Sequence, residues 1–353
     1  MERVLHKSVI KEAIRTVEAG RHLARREAEA AMEELLAGRA NDAQIVALLA
    51  ALRTKGETVD ELVGFAVAMR RHAQPIFDSG RSPQGLLVDT CGTGGDARCT
   101  FNVSTAAAFV VAGAGVRVAK HGNRSFSSKC GSADVLESLG VSLAVPPQRI
   151  GAAIEQVGIG FLFAPAVHTA MKHATAARRQ LGGRTAFNLL GPLTNPAGAT
   201  VQVLGVSAVA LTPLLAQALA ELGVERALVV HGADGLDEVS ISAETYVSEV
   251  REGAVHSYKV TPEDFGVPRA PLEALLGGDA AENARIIRGL LDGEAGPRRD
   301  IVLVNAAAAL VAAGLAGDFR EGTRLAAQSI DSGAAIAKLD ALIAFTNASP
   351  GLP

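Results

Sequence analysis

The segment Gly92-Thr93-Gly94-Gly95-Asp96 follows a short apolar run and precedes Asn102-Val103-Ser104-Thr105, which has the polar character of a helix start. Glycines let a backbone approach a ligand closely, and successive N–H groups ahead of a helix form a concavity that suits anions. The chemistry on offer is phosphate binding; the alternative is a tight strand-to-helix turn in which glycine only permits positive φ. A second cluster, Lys120-His121-Gly122-Asn123-Arg124-Ser125-Phe126-Ser127-Ser128-Lys129, sets cations, amides and hydroxyls on one loop, with Gly131-Ser132-Ala133-Asp134 behind it. These groups suit phosphate oxygens, although a solvated basic loop has the same composition. Two anion-suited loops after neighbouring strands favour the phosphate reading, because ligands of α/β sheets bind at the strand ends.

Other chemistries lose ground. A GxxxxGK[ST] loop is absent. Gly92, Gly94 and Ala97 match GxGxxG/A, but the helix does not open at once and the next strand ends in Lys120 and His121, not in the acid that would hold a ribose hydroxyl. Neither GxSxG nor HExxH occurs. Cys91, Cys99 and Cys130 have no CxxC spacing, which speaks against zinc and disulfides and for a reducing cytoplasm. A formal net charge of -3 gives no general attraction to nucleic acid or anionic membrane, so neither is an expected partner. The first residues carry Glu2, Arg3, Lys7 and Lys11 in place of a signal peptide's apolar stretch, so no export signal is expected. The most apolar segments, 106–119 and 301–316, fall short of the ~18 apolar residues of a membrane span and read as buried helices or strand-helix units.

The loops need a scaffold, and the 353 residues allow two domains. Up to residue 75 the pattern is helical. Ala28, Met32, Leu35 and Leu36 fall at helical spacing before Gly38. Asn41 caps a helix with Ile45, Leu48, Leu49 and Leu52 that stops at Gly56, and Thr58 with Glu61 forms a capping box for a third running towards Arg71. From Gly85 the pattern becomes short apolar runs, glycine-rich turns and Ala/Val/Leu-rich helices, the alternation of a mainly parallel sheet. Strands are expected at 86–89, 116–120, 141–145, 160–163, 201–206 and 227–231, a polar hairpin at 246–260, and helices through 302–313 and 320–345. The expected fold class is α/β. A small all-helical N-terminal domain, 1–75, joined by a helical segment near 168–188, accompanies a larger α/β domain, 76–353, with a mainly parallel central sheet.

Further stretches extend the pattern: Gly131 to Leu136, residues 184–196 (RTAFNLLGPLTNP), Asp237-Glu238, and Ile330-Asp331-Ser332-Gly333-Ala334. With the two loops they span nearly the whole chain, which on these residues resembles the anthranilate phosphoribosyltransferases, relatives in fold of the pyrimidine nucleoside phosphorylases. The resemblance implies transfer of a phosphoribosyl group from 5-phosphoribosyl 1-pyrophosphate to the amine of anthranilate, in tryptophan biosynthesis, by a homodimer. It implies a donor site lined by Gly92, Gly95, Asp96, Thr100, Asn102, Val103, Ser104 and Thr105. Lys120, His121, Gly122, Asn123, Arg124, Ser125, Phe126, Ser127, Ser128 and Ser132 would complete it.

Asp237 and Glu238 would hold magnesium, two ions, together with Ser104; alone, an Asp-Glu pair after a glycine turn also reads as a solvated loop. Anthranilate would meet Gly92, Asn123 and Arg178, with His121 and Pro192 shaping the pocket. An arginine's planar fork suits the acceptor's carboxylate, although by itself Arg178 reads as a surface helix residue beside Arg179. The family usually has HPAMK where this chain has His168-Thr169-Ala170-Met171-Lys172, a change at a helix start that bears on acceptor affinity. Cys130 stands where serine is common. Displacement at ribose C1 would need no strong general base and no covalent intermediate. Lys120 would neutralise the leaving group, and His121 either assists proton removal or is a buried, hydrogen-bonded histidine. Three alternatives remain: a nucleoside phosphorylase of the same fold, transfer to another aromatic amine, and a non-catalytic nucleic-acid-binding relative. The GTGGD loop and Asp237-Glu238 argue against the first, the net charge against the third, and Thr169 leaves the second open.

Overall fold

Asn41 Oδ1 accepts the Gln44 N–H at 3.0 Å and Thr58 Oγ1 the Glu61 N–H at 3.4 Å, while the Gln44 and Glu61 side chains accept from the Asn41 and Thr58 N–H groups. These reciprocal bonds satisfy donors that a helix start leaves unpaired. They set where two of the N-terminal helices begin, as the sequence pattern anticipates. Glu61 is fully buried and also takes the Leu23 N–H and the Lys55 ammonium, each at 2.9 Å, which fixes the fourth helix against the approach to the second.

The computed structural model describes residues 8–77, 85–94, 98–125 and 129–348. Helices α1 (Val9–Glu18), α2 (Arg25–Leu36), α3 (Asp42–Lys55) and α4 (Val59–Arg71) open the chain. Then come β1 (Leu87–Gly92), α5 (Val103–Gly113), β2 (Arg117–Gly122), α6 (Ser132–Ser138), α7 (Pro147–Gln156) and β3 (Ile159–Phe163). Three short helices follow, α8 (Ala164–Val167), α9 (Thr175–Leu181) and α10 (Ala186–Leu193), with a 3-10 turn Thr169–Ala174 between α8 and α9. The rest is β4 (Val201–Gly205), α11 (Leu211–Glu221), β5 (Arg226–Gly232), β6 (Thr245–Arg251), β7 (Ala254–Val260), α12 (Ala280–Leu291), α13 (Pro297–Ala312), α14 (Phe319–Asp331) and α15 (Ala334–Asn347). The chain divides into two compact units. One comprises the chain up to Gln74 with Val167–Thr194, and the other Pro75–Ala166 with everything from Asn195 onward.

The second unit is built on a seven-stranded sheet of order β3-β2-β1-β4-β5-β6-β7. The first five strands are parallel neighbours, and β6 and β7 add an antiparallel edge hairpin. Every residue of β4 is buried, as are the first five of β1, the near-continuous burial of a parallel strand covered on both faces. In α13 all residues from Ile301 to Leu310 are buried, and α5 is apolar almost all round, so segment 301–316 is mostly a core helix and segment 106–119 runs from a core helix into β2.

The structure corrects one expectation. Residues 141–145 form no strand, although Val141 and Val145 are buried. The Val141 N–H bonds to the Leu136 carbonyl at the end of α6, and the Ser142 N–H to Thr346 Oγ1 on α15. With its donors taken and Pro146-Pro147 unable to donate, the run stays outside the sheet. The stretch 320–345 is two helices, α14 and α15, parted at Gly333 with φ 75°.

Candidate active site

β1 and β2 each end in a glycine, and the loops that follow carry the two anion-suited clusters. The first loop continues the direction of β1, since the Thr93 N–H bonds to the Gly205 carbonyl at 2.9 Å. It then meets the loop after β5. Asp237 Oδ2 accepts the Gly94 N–H at 3.1 Å, and Glu238 Oε1 accepts the Ser104 N–H at the same distance. A Cβ on Gly92 would stand 2.9 Å from Asp237 Oδ2, and one on Gly205 would run into the Asp237 carbonyl oxygen. Only glycine at the ends of β1 and β4 lets this acidic loop lie against them.

The acidic loop is itself braced. Asp234 Oδ2 accepts the Ser240 hydroxyl at 2.6 Å and also the Ser242 hydroxyl, and the Gly232 N–H bonds to the Leu236 carbonyl at 2.8 Å. From below, the amide of buried Asn305 on α13 accepts the Val239 N–H at 2.8 Å and donates to the Val239 carbonyl at 2.9 Å.

Lys120 on β2 is 3% exposed, and its ammonium donates to the Thr90 carbonyl and, at 3.4 Å, to Ser104 Oγ. Burial lowers its pKa, opposed by the nearby Asp89 carboxylate. Burial also pushes the fully enclosed Asp89 carboxyl up to about 6, against the bonds it accepts. For both groups burial outweighs their mutual attraction, so this dry place shifts each towards its neutral form.

Gly92, Ser104, Lys120, Asp237 and Glu238 are therefore gathered at one point by direct contacts. Asn102 lies at the head of α5, where its amide donates to the Cys130 carbonyl at 3.2 Å and accepts from Asn283 at 3.0 Å. Thr100 bridges to Leu276, and Val103 and Thr105 are buried in the first turn of α5. Gly122 closes β2; Asn123 Oδ1 accepts the Arg124 N–H at 2.7 Å, and Ser132 Oγ donates to the Asn123 carbonyl at 3.3 Å. Asp134 ties this loop at its base, accepting from the Ser125 and Gly131 N–H groups. Arg124 pairs with Asp134 at 2.8 Å and Glu137 at 2.6 Å. His121 is buried and its N–H bonds to Asp89 Oδ1 at 3.1 Å. Gly95, Asp96, Phe126, Ser127 and Ser128 lie outside the described residues.

The donor set for a cation is two adjacent carboxylates and a hydroxyl, all hard oxygens; among the described residues no group of three or more His, Cys, Asp or Glu is placed to hold a metal ion. Such a set fits Mg²⁺, which takes one or two carboxylates and fills its shell with waters and substrate phosphates.

Comparison with known proteins gives the family of the chain. The model of the glycosyl transferase family a/b domain matches residues 84–336, and that of the family's helical bundle domain matches residues 11–73. The anthranilate phosphoribosyltransferase of Symbiobacterium thermophilum is 57% identical over 338 residues, covering 96% of this chain and 98% of that protein. That of Solibacter usitatus is 58% identical over 338 residues, with the same coverage. The chain belongs to the anthranilate phosphoribosyltransferase family. Among solved structures, the anthranilate phosphoribosyltransferase of Thermus thermophilus has a TM-score of 0.89 at 46% identity, covering 95% of this chain and 99% of that one. The Saccharomyces cerevisiae enzyme in complex with PRPP and Mg has a TM-score of 0.86 at 27% identity, covering 96% and 98%. These anthranilate phosphoribosyltransferases do not favour the phosphorylase or nucleic-acid-binding alternatives.

Of the residues expected to serve the acceptor of an anthranilate phosphoribosyltransferase, Gly92, His121 and Asn123 belong to the α/β unit, and Arg178 and Pro192 to the helical unit. Arg178 on α9 is half-buried, its guanidinium carbon 5.2 Å from the Phe187 ring centroid, and burial lowers its pKa, whereas Arg179 is exposed. Pro192 is buried inside α10. Thr169 opens the 3-10 turn and its hydroxyl accepts from Gln74 at 3.3 Å.

Sequence reasoning quoted Asp134 and Asn195 only as parts of longer stretches and gave no site role to them or to Asp89, Asn283 and Asn305, which lie beneath the loops. Two left a signal. Asp89 is the one charge in β1, and Asn305 the one polar side chain between Ile301 and Leu310. A lone polar group in a buried apolar run must find a hydrogen-bond partner there.

Proposed function

We propose that this chain transfers the phosphoribosyl group of 5-phosphoribosyl 1-pyrophosphate to the amine of anthranilate, giving N-(5-phosphoribosyl)anthranilate and pyrophosphate, a step of tryptophan biosynthesis. The observation that carries the reading is the junction at which Gly94 and Ser104 of the first loop meet Asp237 and Glu238, with Lys120 beneath.

The α/β unit is the donor-binding unit in this reading. An ammonium has three donors, and the two that Lys120 gives to Thr90 and Ser104 leave one for a phosphate oxygen. In a dry site that charge interacts strongly with the pyrophosphate as it leaves. Backbone N–H groups of the Gly92 loop and the side chains of Asn123, Arg124 and Ser132 would orient the donor's phosphates. Arg124 must then exchange Asp134 and Glu137 for phosphate oxygens. Ser104, Asp237 and Glu238 would hold magnesium, two ions, which when bound screens the pyrophosphate charge as it departs.

For the acceptor, Arg178 and Pro192 of the helical unit and Gly92, His121 and Asn123 of the α/β unit are the proposed residues, Arg178 being suited to the anthranilate carboxylate. An aromatic amine has a free lone pair at neutral pH, so positioning outweighs proton abstraction and His121 has no obligatory role as a base. Two copies would pair through the helical unit. The three free cysteines, two of them buried, suit a reducing cytoplasm, and among the described residues no helix is long and apolar enough to cross a membrane.

The test is to follow anthranilate fluorescence after mixing with phosphoribosyl pyrophosphate and Mg²⁺; the chain has no Trp to contribute emission. The expected result is a magnesium-dependent loss that disappears in Asp237→Ala/Glu238→Ala. No loss by a protein that binds the donor would reject anthranilate as the acceptor.

A further inference from the structure

Three neighbouring strand pairs carry the site, and one of them is incomplete. β1 and β4 pair over five residues, Val88 to Gly92, and β2 and β3 over five, Val118 to Gly122. Among the described residues β1 and β2 pair only at Leu87 with Arg117 and Val88 with Val118. The Val118 N–H points to β3, bonding the Gly158 carbonyl at 2.9 Å, so Ala119 and His121 are the residues whose backbone groups face β1. A parallel ladder continued by two residues would give the Ala119 carbonyl and the His121 N–H to Thr90.

Side chains take these groups instead. The His121 N–H goes to Asp89 Oδ1 at 3.1 Å, the Ala119 carbonyl accepts from Asn195 Nδ2 at 2.8 Å, and the Thr90 carbonyl accepts from the Lys120 ammonium. Asn195 Nδ2 also donates to Asp89 Oδ2 at 2.9 Å, while Asn195 Oδ1 accepts the Ala197 N–H at 2.9 Å and so sets which way the amide faces. Asp89 is fully buried and Asn195 is 7% exposed. A buried backbone group must be paired, so this substitution is what permits the ladder to stop short.

We propose that Asp89 and Asn195 are positioning residues that keep the ends of β1 and β2 from zipping together and so set where Lys120 and His121 stand under the donor's phosphates. Were the ladder to close, the His121 N–H would move onto the Thr90 carbonyl and the Lys120 ammonium would have to share that acceptor. Neither residue touches substrate in this account; they act through β2. The assignment rests on the donor site proposed above.

The test uses the whole protein with Asp89→Asn, which keeps the side chain's shape but turns an NH₂ towards that of Asn195, and with Asn195→Ala. Two readouts are taken: KM for phosphoribosyl pyrophosphate against KM for anthranilate, and amide hydrogen exchange across 117–122. The expected result is a donor KM raised at least about tenfold, the loss of about one charge-assisted hydrogen bond, with the acceptor KM within about twofold. Exchange should quicken in β2 and stay unchanged in β4. If Asn195→Ala does not fold, Asp89→Asn decides. Donor KM within twofold of the parent, or exchange that quickens throughout the sheet, overturns the proposal. Parent protein that fails to bind phosphoribosyl pyrophosphate by calorimetry refutes the donor site instead, and the exchange result still decides whether these side chains hold β2.

Discussion

Asn305→Ala tests how the acidic loop is held. In the folded chain the Asn305 amide is 3% exposed, accepts the Val239 N–H, and donates to the Val239 and Ile301 carbonyls at 2.9 and 2.8 Å. Ile301 keeps its place in α13, so its carbonyl retains a helical partner and loses little. Val239 loses partners on both its N–H and its carbonyl in a buried place, and each orphaned group costs about 1–3 kcal/mol. The expected destabilisation is therefore about 2–6 kcal/mol, large against a typical total of about 5–15 kcal/mol. Because Val239 follows Glu238 directly, the loop relaxes and the magnesium needed for half-maximal activity rises, by about tenfold if one ligand contact of about 1.4 kcal/mol weakens. Urea unfolding followed by tyrosine emission suits the assay, since both tyrosines, Tyr246 and Tyr258, lie on the β6–β7 hairpin and there is no Trp. A loss below about 1 kcal/mol, or an unchanged magnesium midpoint in a destabilised protein, would refute this account of the loop.

Three further outcomes are expected. Arg178→Ala should raise KM for anthranilate about 10- to 100-fold by removing a charge-assisted bond, with KM for the donor unmoved; Arg178→Lys should recover part of it, and an equal rise in both constants would count against the assignment. Gly205→Ala should abolish activity and destabilise the α/β unit, because its Cβ meets the Asp237 backbone; near-parental activity and thermal stability would show that the two loops can part. His168, 7% exposed, has its pKa lowered to about 4 by burial, against its hydrogen bond with the Thr194 backbone. A depressed histidine favours the neutral form, so its contribution is complete above the unfolded value of about 6.5 and falls away as pH drops towards 4, by up to about 3 kcal/mol. Unfolding curves for His168→Gln should lack that part of the acid loss, and identical pH profiles would remove His168 as its source.

The legible part of the fold is the part decided locally. Asn41 and Thr58 announce their helices because capping involves neighbours three residues away, and the strand-glycine-helix alternation marks β1 and β2. Residues 141–145 carry the same apolar pattern as a strand, but partners on α6 and α15 decide their fate, and distant partners leave no mark on a local pattern. The same limit applies at the site. Gly92, Ser104 and Lys120 stand out by residue type, whereas Asp89 and Asn195 act through a register between strands, and Asn283 reaches Asn102 from a helix 181 positions away in the sequence.

The helical unit is finished late in the life of the chain. Its first four helices are complete by Arg71, but Arg70 donates to the Leu193 carbonyl at 2.9 Å, Arg53 to the Gly182 carbonyl at 3.0 Å, and the His173 ring fills the space left by the missing Cβ of Gly38. All three partners sit on the second segment of the same unit. At about 5–20 residues per second of synthesis, the wait between Gln74 and Thr194 is about 6–24 s. During that interval the nascent N-terminal helices lack these partners, and a fragment cut at residue 75 would lack them permanently.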